Sequence, residues 1–164
     1  MKLVNPKFVL TSDTLKYNTF SKIATILGPS NIVSDNNHIY SERGFYNTLS
    51  EQAELLDRSI LTNEGKKLIG DSLFYDRKVG YGEAFDNIRM TDTINKNMLT
   101  GDYCFYNELT DSAFATKRAV AIDYSQGDSL FMHGDTLQLI SYNLNTDSVF
   151  RLMKAYHKVP VSYT

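Results

Sequence analysis

The chain of 164 residues has no tryptophan, three prolines and a single cysteine, Cys104, and each scarcity removes a class of explanation. One thiol cannot close an intrachain disulfide, and without a CxxC pair there is no cysteine framework for zinc. No apolar run approaches the roughly 18 residues that a membrane-crossing helix requires. The N-terminal MKLVNPKFVL carries a lysine but no apolar stretch closing on small residues, so it does not read as a secretory signal. Seventeen basic against nineteen acidic residues leave a net charge of −2, which supplies no field to attract a polyanion and argues against nucleic acid as a partner.

Aromatic residues are plentiful instead. The 11 tyrosines and 9 phenylalanines favour strands, because such side chains fit a pleated, half-buried surface. They also recur. Near copies of one heptad begin at Ser12 (SDTLKYN), Ser41 (SERGFYN), Gly70 (GDSLFYD), Gly101 (GDYCFYN) and, more weakly, Gly134 (GDTLQLI), in steps of 29, 29, 31 and 33 residues. A period this even signals stacked supersecondary units, none of which can bury its apolar face alone.

Each heptad runs into a short polar connection (NTFS, NTLSE, DRKVG, NELTD, NLNTD), where Asn or Asp opens a reversal by bonding its own backbone. A second extended segment follows: SKIATILGPSNIVSD, EQAELLDRSILTNEG, GYGEAFDNIRMTDT, SAFATKRAVAIDYS and SVFRLMKAYHKV. These read as hairpin partners, and a brief apolar lead-in (Ile39, Leu68, Leu99, Met132) precedes the next heptad. The stretch TLSEQAELLDRSILTNEGKK has the start and stop signals of a helix, but it occupies a repeat position that elsewhere alternates like a strand, and strand is the assignment.

Alternation places Leu15 with Tyr17, Gly44 with Tyr46, Leu73 with Tyr75, Cys104 with Tyr106 and Leu137 with Leu139 on one face, giving two apolar columns across all units. The intervening Lys16, Phe45, Phe74, Phe105 and Gln138 suit an outer, partly wet face. Strict alternation would also bury Asp71, so a bend or bulge is expected at the Gly-Asp step, with Gly70, Gly101 and Gly134 as corners that use glycine's dihedral freedom.

Together, GDSLFYD, GYGEAF, GDYCFYN and GDTL, with ATILGPSNIVSD and IYSERGFYN, resemble the OstA-like domain, from about Ser12 to Val159. The resemblance looks closest to the larger OstA-like proteins of Bacteroidetes. That family includes the periplasmic bridge component of lipopolysaccharide transport and the N-terminal portion of the outer-membrane assembly protein. The resemblance implies an all-β, semi-open antiparallel β-roll (a β-taco or β-jellyroll), here of about five two-strand repeats. It implies acyl chains of lipopolysaccharide in the apolar interior, with units joined end to end toward the outer-membrane assembly machinery. The expectation is one OstA-like domain over residues 1–164, a piece of a longer exported protein that is periplasmic or outer-membrane associated, with the export signal outside it. The lining expected is Leu15, Tyr17, Tyr46, Leu73, Tyr75, Tyr106, Leu137 and Leu139. Gly44 stands where Leu is usual and the fifth unit lacks its Tyr, which alters the depth of the groove at both places.

Catalysis finds little footing. His38, His133 and His157 are scattered without an HxH or HExxH partner, and no calcium loop is present, so no metal and no cofactor is expected. Asp13, Glu42, Asp71, Asp102 and Asp135 share one repeat column, as a turn-forming requirement predicts, whereas a glycosidase pair needs two carboxylates in different environments. Cys104 takes a Leu position and reads as a small buried filler. Arg58, Arg89, Lys117, Arg118, Arg151 and Lys154 recur in the second segments, either at a rim facing lipid phosphates or on a solvated face paired with neighbouring acids. The chain is therefore expected to be no enzyme, and the alternative to lipid relay is a structural or interaction module that assembles end to end or docks a partner protein.

Overall fold

Alternating aromatic, β-branched and small residues produce strands and no helix among the described residues, which are 1–157 and 161–163 of a computed structural model. Along the chain these are β1 (Lys2–Asn5), β2 (Phe8–Ser12), β3 (Leu15–Asn18), β4 (Ile23–Ile26), β5 (Ser30–Ser34), β6 (Asn37–Ser41) and β7 (Arg43–Asn47). Longer strands follow: β8 (Gln52–Asn63), β9 (Lys66–Asp76), β10 (Tyr81–Asp92), β11 (Asn97–Asn107), β12 (Ser112–Gln126) and β13 (Asp128–Tyr142), then β14 (Phe150–Tyr156) and β15 (Val161–Tyr163). Lys158 and Val159, the end of the fifth partner segment, lie outside the described residues.

All fifteen strands belong to one antiparallel sheet, and the pairing divides it into two walls. The first wall runs β1-β2-β5-β6 and then continues through β8 to β13, with β15 on β13. The second runs β3-β4-β7, joins the same long strands from β8 onward and ends on β14. Each long strand thus contributes one half to each wall, and the early strands do the same as separate pieces. Five hairpins line the second wall (β3–β4, β7–β8, β9–β10, β11–β12, β13–β14), so the all-β semi-open roll of five two-strand repeats expected from the sequence is the observed fold. The candidate helix is strand β8.

The corner between the walls is a line of β-bulges. Asp57 and Arg58 oppose Asp71, Asp86 and Asn87 oppose Asp102, and Lys117 and Arg118 oppose Asp135, each time two residues against one. Both residues of every pair adopt left-handed dihedrals, with φ between 50° and 60°. The bend therefore falls at the Gly-Asp step, as the sequence indicates, but the extra residue comes from the partner segment. Gly70, Gly101 and Gly134 are not among the positive-φ glycines; they are corners for want of space. A Cβ on Gly101 would lie 3.0 Å from the Thr116 carbonyl oxygen, and one on Gly134 3.1 Å from Leu137 Cδ2. In the first rungs serine takes this place, and buried pairs form: Ser30 Oγ donates to Ser12 Oγ (2.6 Å) and Ser59 Oγ to Ser41 Oγ (2.8 Å). The slip in alternation is visible in β9, where Leu68 and Gly70 are buried and the pattern resumes at Leu73 and Tyr75.

The bulge also settles the repeated acids. Asp71 accepts from Arg58 (3.0 Å) and Asn87 (2.6 Å), and Asp102 takes a bidentate grip from Arg118 (2.7 Å twice), all on the outer ridge. At the far end of each heptad, Asn18, Asn47 and Asn107 each accept two backbone N–H groups of the following turn, and Asp76 accepts that of Val79. Successive turns then bond to one another, Thr48 to Lys22, Arg77 to Glu51 and Glu108 to Gly80, which sets the stacking of the rungs.

Candidate lipid-binding interior

Two rows of the second wall face inward, and their register is continuous. The row nearer the corner reads Leu15, Ile26, Gly44, Leu55, Leu73, Ala84, Cys104, Ala115, Leu137 and Ala155 across directly paired positions. The outer row reads Tyr17, Ala24, Tyr46, Ala53, Tyr75, Gly82, Tyr106, Ala113, Leu139 and Met153. In the outer row the four tyrosines come from the heptads and Ala24, Ala53, Gly82 and Ala113 from their hairpin partners, so each ring lies beside a neighbour that leaves it room. The small partners are present in the sequence as Ala at strand spacing, but they do not stand out there as lining.

The expected residues divide by position. Leu15, Tyr46, Leu73, Tyr75 and Leu137 are buried, while Tyr106 and Leu139 are half-buried. Tyr17 is 38% exposed, because β3 pairs only with β4 among the described residues, and its hydroxyl lies 3.2 Å from Thr48 Oγ1. The intervening Phe45, Phe74 and Phe105 face outward, where Phe105 stacks on Phe114 at 5.4 Å. Gly44 leaves no gap, since a Cβ there would collide with the Glu54 carbonyl oxygen and Leu55.

The first wall supplies the opposite lining: Leu10, Ile32, Ile39, Leu68 and Leu99 join the same buried cluster, with Leu61, Met90 and Met132 packed against it. Phe8 meets Tyr46 across the interior edge to face, centroids 4.7 Å apart. A void of about 30 Å³ between the walls is lined by Leu61, Leu68, Met90 and Tyr106 and holds no more than about one water. The first rungs are shut. Toward β13 and β14 several inner residues become half-buried, Met132 and Met153 among them, and Met90 of β10 is half-buried as well. Their unbranched thioethers adapt to changing shapes.

Burial sets the electrostatics inside. Tyr46 is pushed up to about 12 by burial, with the Glu51 charge adding to the effect, and Cys104 is likewise pushed up to about 12 by burial. Cys104 is therefore a protonated filler between Ala84 and Ala115. The histidines are exposed and apart, and His38 bonds Asn31 Oδ1 at 2.9 Å.

The mouth carries charged clusters that the sequence announces only in part, through Arg151. Lys7 and Arg77 hold Glu51 (2.6 and 3.3 Å), and Arg77 also reaches Asp35 (2.8 Å), which ties turns of the two walls together. A second cluster joins Lys66, Asp111 and Arg151. The turns between the hairpin strands, polar in composition, each expose an apolar side chain at the rim: Phe20, Leu49, Val79 and Leu109. Arg58 and Arg118, by contrast, are engaged with the acids of the outer ridge.

Comparison with known proteins agrees with the resemblance read from the heptads. Residues 1–71 match the family described as OstA-like protein. No curated protein matches the sequence. Among solved structures, the chain is similar to LptH, the LptA-homologous periplasmic component of the conserved lipopolysaccharide transport device from Pseudomonas aeruginosa. The TM-score is 0.61 at 9% identity, covering 91% of this chain and 94% of that one. The shared property at this identity is the fold.

Proposed function

From an OstA-like first 71 residues and a fold held in common with a lipopolysaccharide-transport component, we propose that this protein binds lipopolysaccharide by its acyl chains and relays it across the periplasm toward the outer membrane. The observation that carries the reading is the pair of facing apolar linings, continuous from rung to rung. The interior as it stands is too small for a chain, so uptake requires the walls to part about the bulged corner. The two sides of the exchange oppose each other: wall contacts are lost, and each methylene taken in contributes about 0.8 kcal/mol. The proposed lining comprises Leu15, Tyr17, Tyr46, Leu73, Tyr75, Tyr106, Leu137 and Leu139, acting as wall and not as reagent. Edge strands β1 and β3 at one end, and β14 and β15 at the other, have unpaired backbone groups suited to adding another roll end to end. The protein in this reading is not an enzyme.

Photo-crosslinking with purified lipopolysaccharide tests this. A benzophenone side chain replacing Tyr75 is expected to label the lipid, and one replacing outward Lys16 is not. Equal or absent labelling at both positions rejects the groove. The closed packing of the first rungs, Phe8 on Tyr46 above all, favours a second reading, a structural module that docks a partner through its edges. Absence of lipid uptake together with end-to-end assembly is its signature.

A further inference from the structure

Four donors from four different strands converge on one carboxylate at the mouth. Lys66 Nζ (β9) donates to Asp111 Oδ1 at 2.7 Å and Tyr106 OH (β11) to the same oxygen at 3.2 Å. Ser141 Oγ (β13) and Arg151 Nη2 (β14) each donate to Asp111 Oδ2 at 2.8 Å. Asp111 reaches this point from the β11–β12 turn, where its own φ is +43°. Such a ring of donors is what a phosphate or carboxylate of a ligand would need, and here a residue of the chain fills it.

Two further facts set this cluster apart from the one around Glu51. There, Lys7 and Arg77 are shared between two carboxylates, Glu51 and Asp35. Here two cations share one carboxylate. Of the nearby acids, Asp92 accepts from the backbone and amide of its own turn, and Glu108 accepts from Tyr75 OH at 3.1 Å. The interior beneath the Glu51 cluster is packed by Phe8 and Tyr46, whereas the apolar void lies directly under Lys66. A carboxylate shared by two cations and apolar room thus coincide at one place.

We infer that Lys66, Arg151, Tyr106 and Ser141 form the seat for the anionic headgroup of the bound amphiphile, and that Asp111 occupies this seat as an internal stand-in until the ligand's phosphate or carboxylate displaces it. This rests on the proposed function and deepens it: the chain enters the void between Leu61, Leu68 and Met90 while the head replaces Asp111.

Competition of dodecyl phosphate, dodecyl maltoside and inorganic phosphate against a fluorescent fatty-acyl probe tests the inference. The wild-type protein should bind dodecyl phosphate about tenfold more tightly than dodecyl maltoside, the scale of one charge-assisted contact. Lys66→Gln with Arg151→Gln should abolish that preference and leave dodecyl maltoside binding in place, and Asp111→Asn should tighten dodecyl phosphate binding. Thermal unfolding of each variant establishes that it is folded, and Lys66→Gln alone serves where the double variant is not. Equal binding of both detergents by the wild-type protein overturns the headgroup seat and leaves the slot standing. Failure to bind either detergent overturns both. Competition by inorganic phosphate as strong as by dodecyl phosphate makes this a free-anion site and overturns the assignment to an amphiphile.

Discussion

Phe8 and Tyr46 touch edge to face, their ring planes inclined by 67°, although one stands on the first wall and the other on the second. Their contact fixes how closely the two walls approach in the first rungs. Phe8 is only 3% exposed, so Phe8→Ala should cost about 3–5 kcal/mol of unfolding free energy. Tyr17, in the same inner row as Tyr46 but on an edge strand, should cost under about 1 kcal/mol on replacement by Ala. Urea denaturation of the two variants checks the contrast.

Gly44 is a closer constraint than its place in an apolar column suggests. Its missing side chain admits Leu55, whose Cδ2 would lie 3.3 Å from an added Cβ, beside the Glu54 carbonyl. Gly44→Ala should therefore destabilise by about 1–3 kcal/mol through overpacking. Gly28, where a Cβ would meet nothing closer than 3.8 Å, should accept Ala with little change, and thermal melts of the pair measure the difference.

The bulge residues make the opposite prediction. Lys117 is exposed and held at φ +57°, a conformation that costs a residue with a Cβ roughly 1–2 kcal/mol. Lys117→Gly relieves this and gives part of the gain back as unfolded-state entropy, for a net stabilisation of about 0–1 kcal/mol. Lys117→Val, β-branched at the same dihedral, should destabilise by about 1–3 kcal/mol. Denaturant midpoints of the two variants should move in opposite directions.

Asp111 makes the mouth sensitive to acid. Burial alone would raise its carboxyl, but hydrogen bonds from Lys66, Ser141 and Arg151 outweigh burial and hold it far below its ordinary 3.8. A carboxylate depressed on folding contributes stability that is complete above its unfolded value and fades as pH falls toward the folded one. The wild-type protein should thus exceed Asp111→Asn in stability by about 1–3 kcal/mol at neutral pH, and the gap should close progressively below about pH 4. A gap independent of pH between 2 and 7, in about the same denaturant range, would show that the ion cluster contributes nothing.

The repeat makes the architecture legible from sequence. Heptads ending in Asn18, Asn47, Asp76 and Asn107 mark the turns, and the Leu and Tyr columns mark the inner face of one wall, because strand alternation is a local property. The opposite wall is visible only as lead-ins at Ile39, Leu68, Leu99 and Met132, whose facing partners are set by how the sheet folds. The sequence points to the right level for the bulge and to the wrong strand: Gly70 and Gly101 look like conformational devices, but Asp57, Arg58, Lys117 and Arg118 take the left-handed turns. Arg151 shows in the sequence only as one of the recurring basic residues, and Lys66 and Asp111 leave no local signal, since three residues far apart in sequence meet only when the walls close.

The proposed lipid transport requires walls that part around an acyl chain. Spin labels on Ile94 and Thr110, exposed turn residues of the first and second wall, report the width of the mouth by electron–electron resonance, and Cys104, buried and protonated, stays unlabelled. Saturation with purified lipopolysaccharide should lengthen the distance between the labels by about the breadth of an acyl chain. An unchanged distance with the lipopolysaccharide demonstrably bound would contradict the opening of the walls and, with it, the proposed mode of carriage.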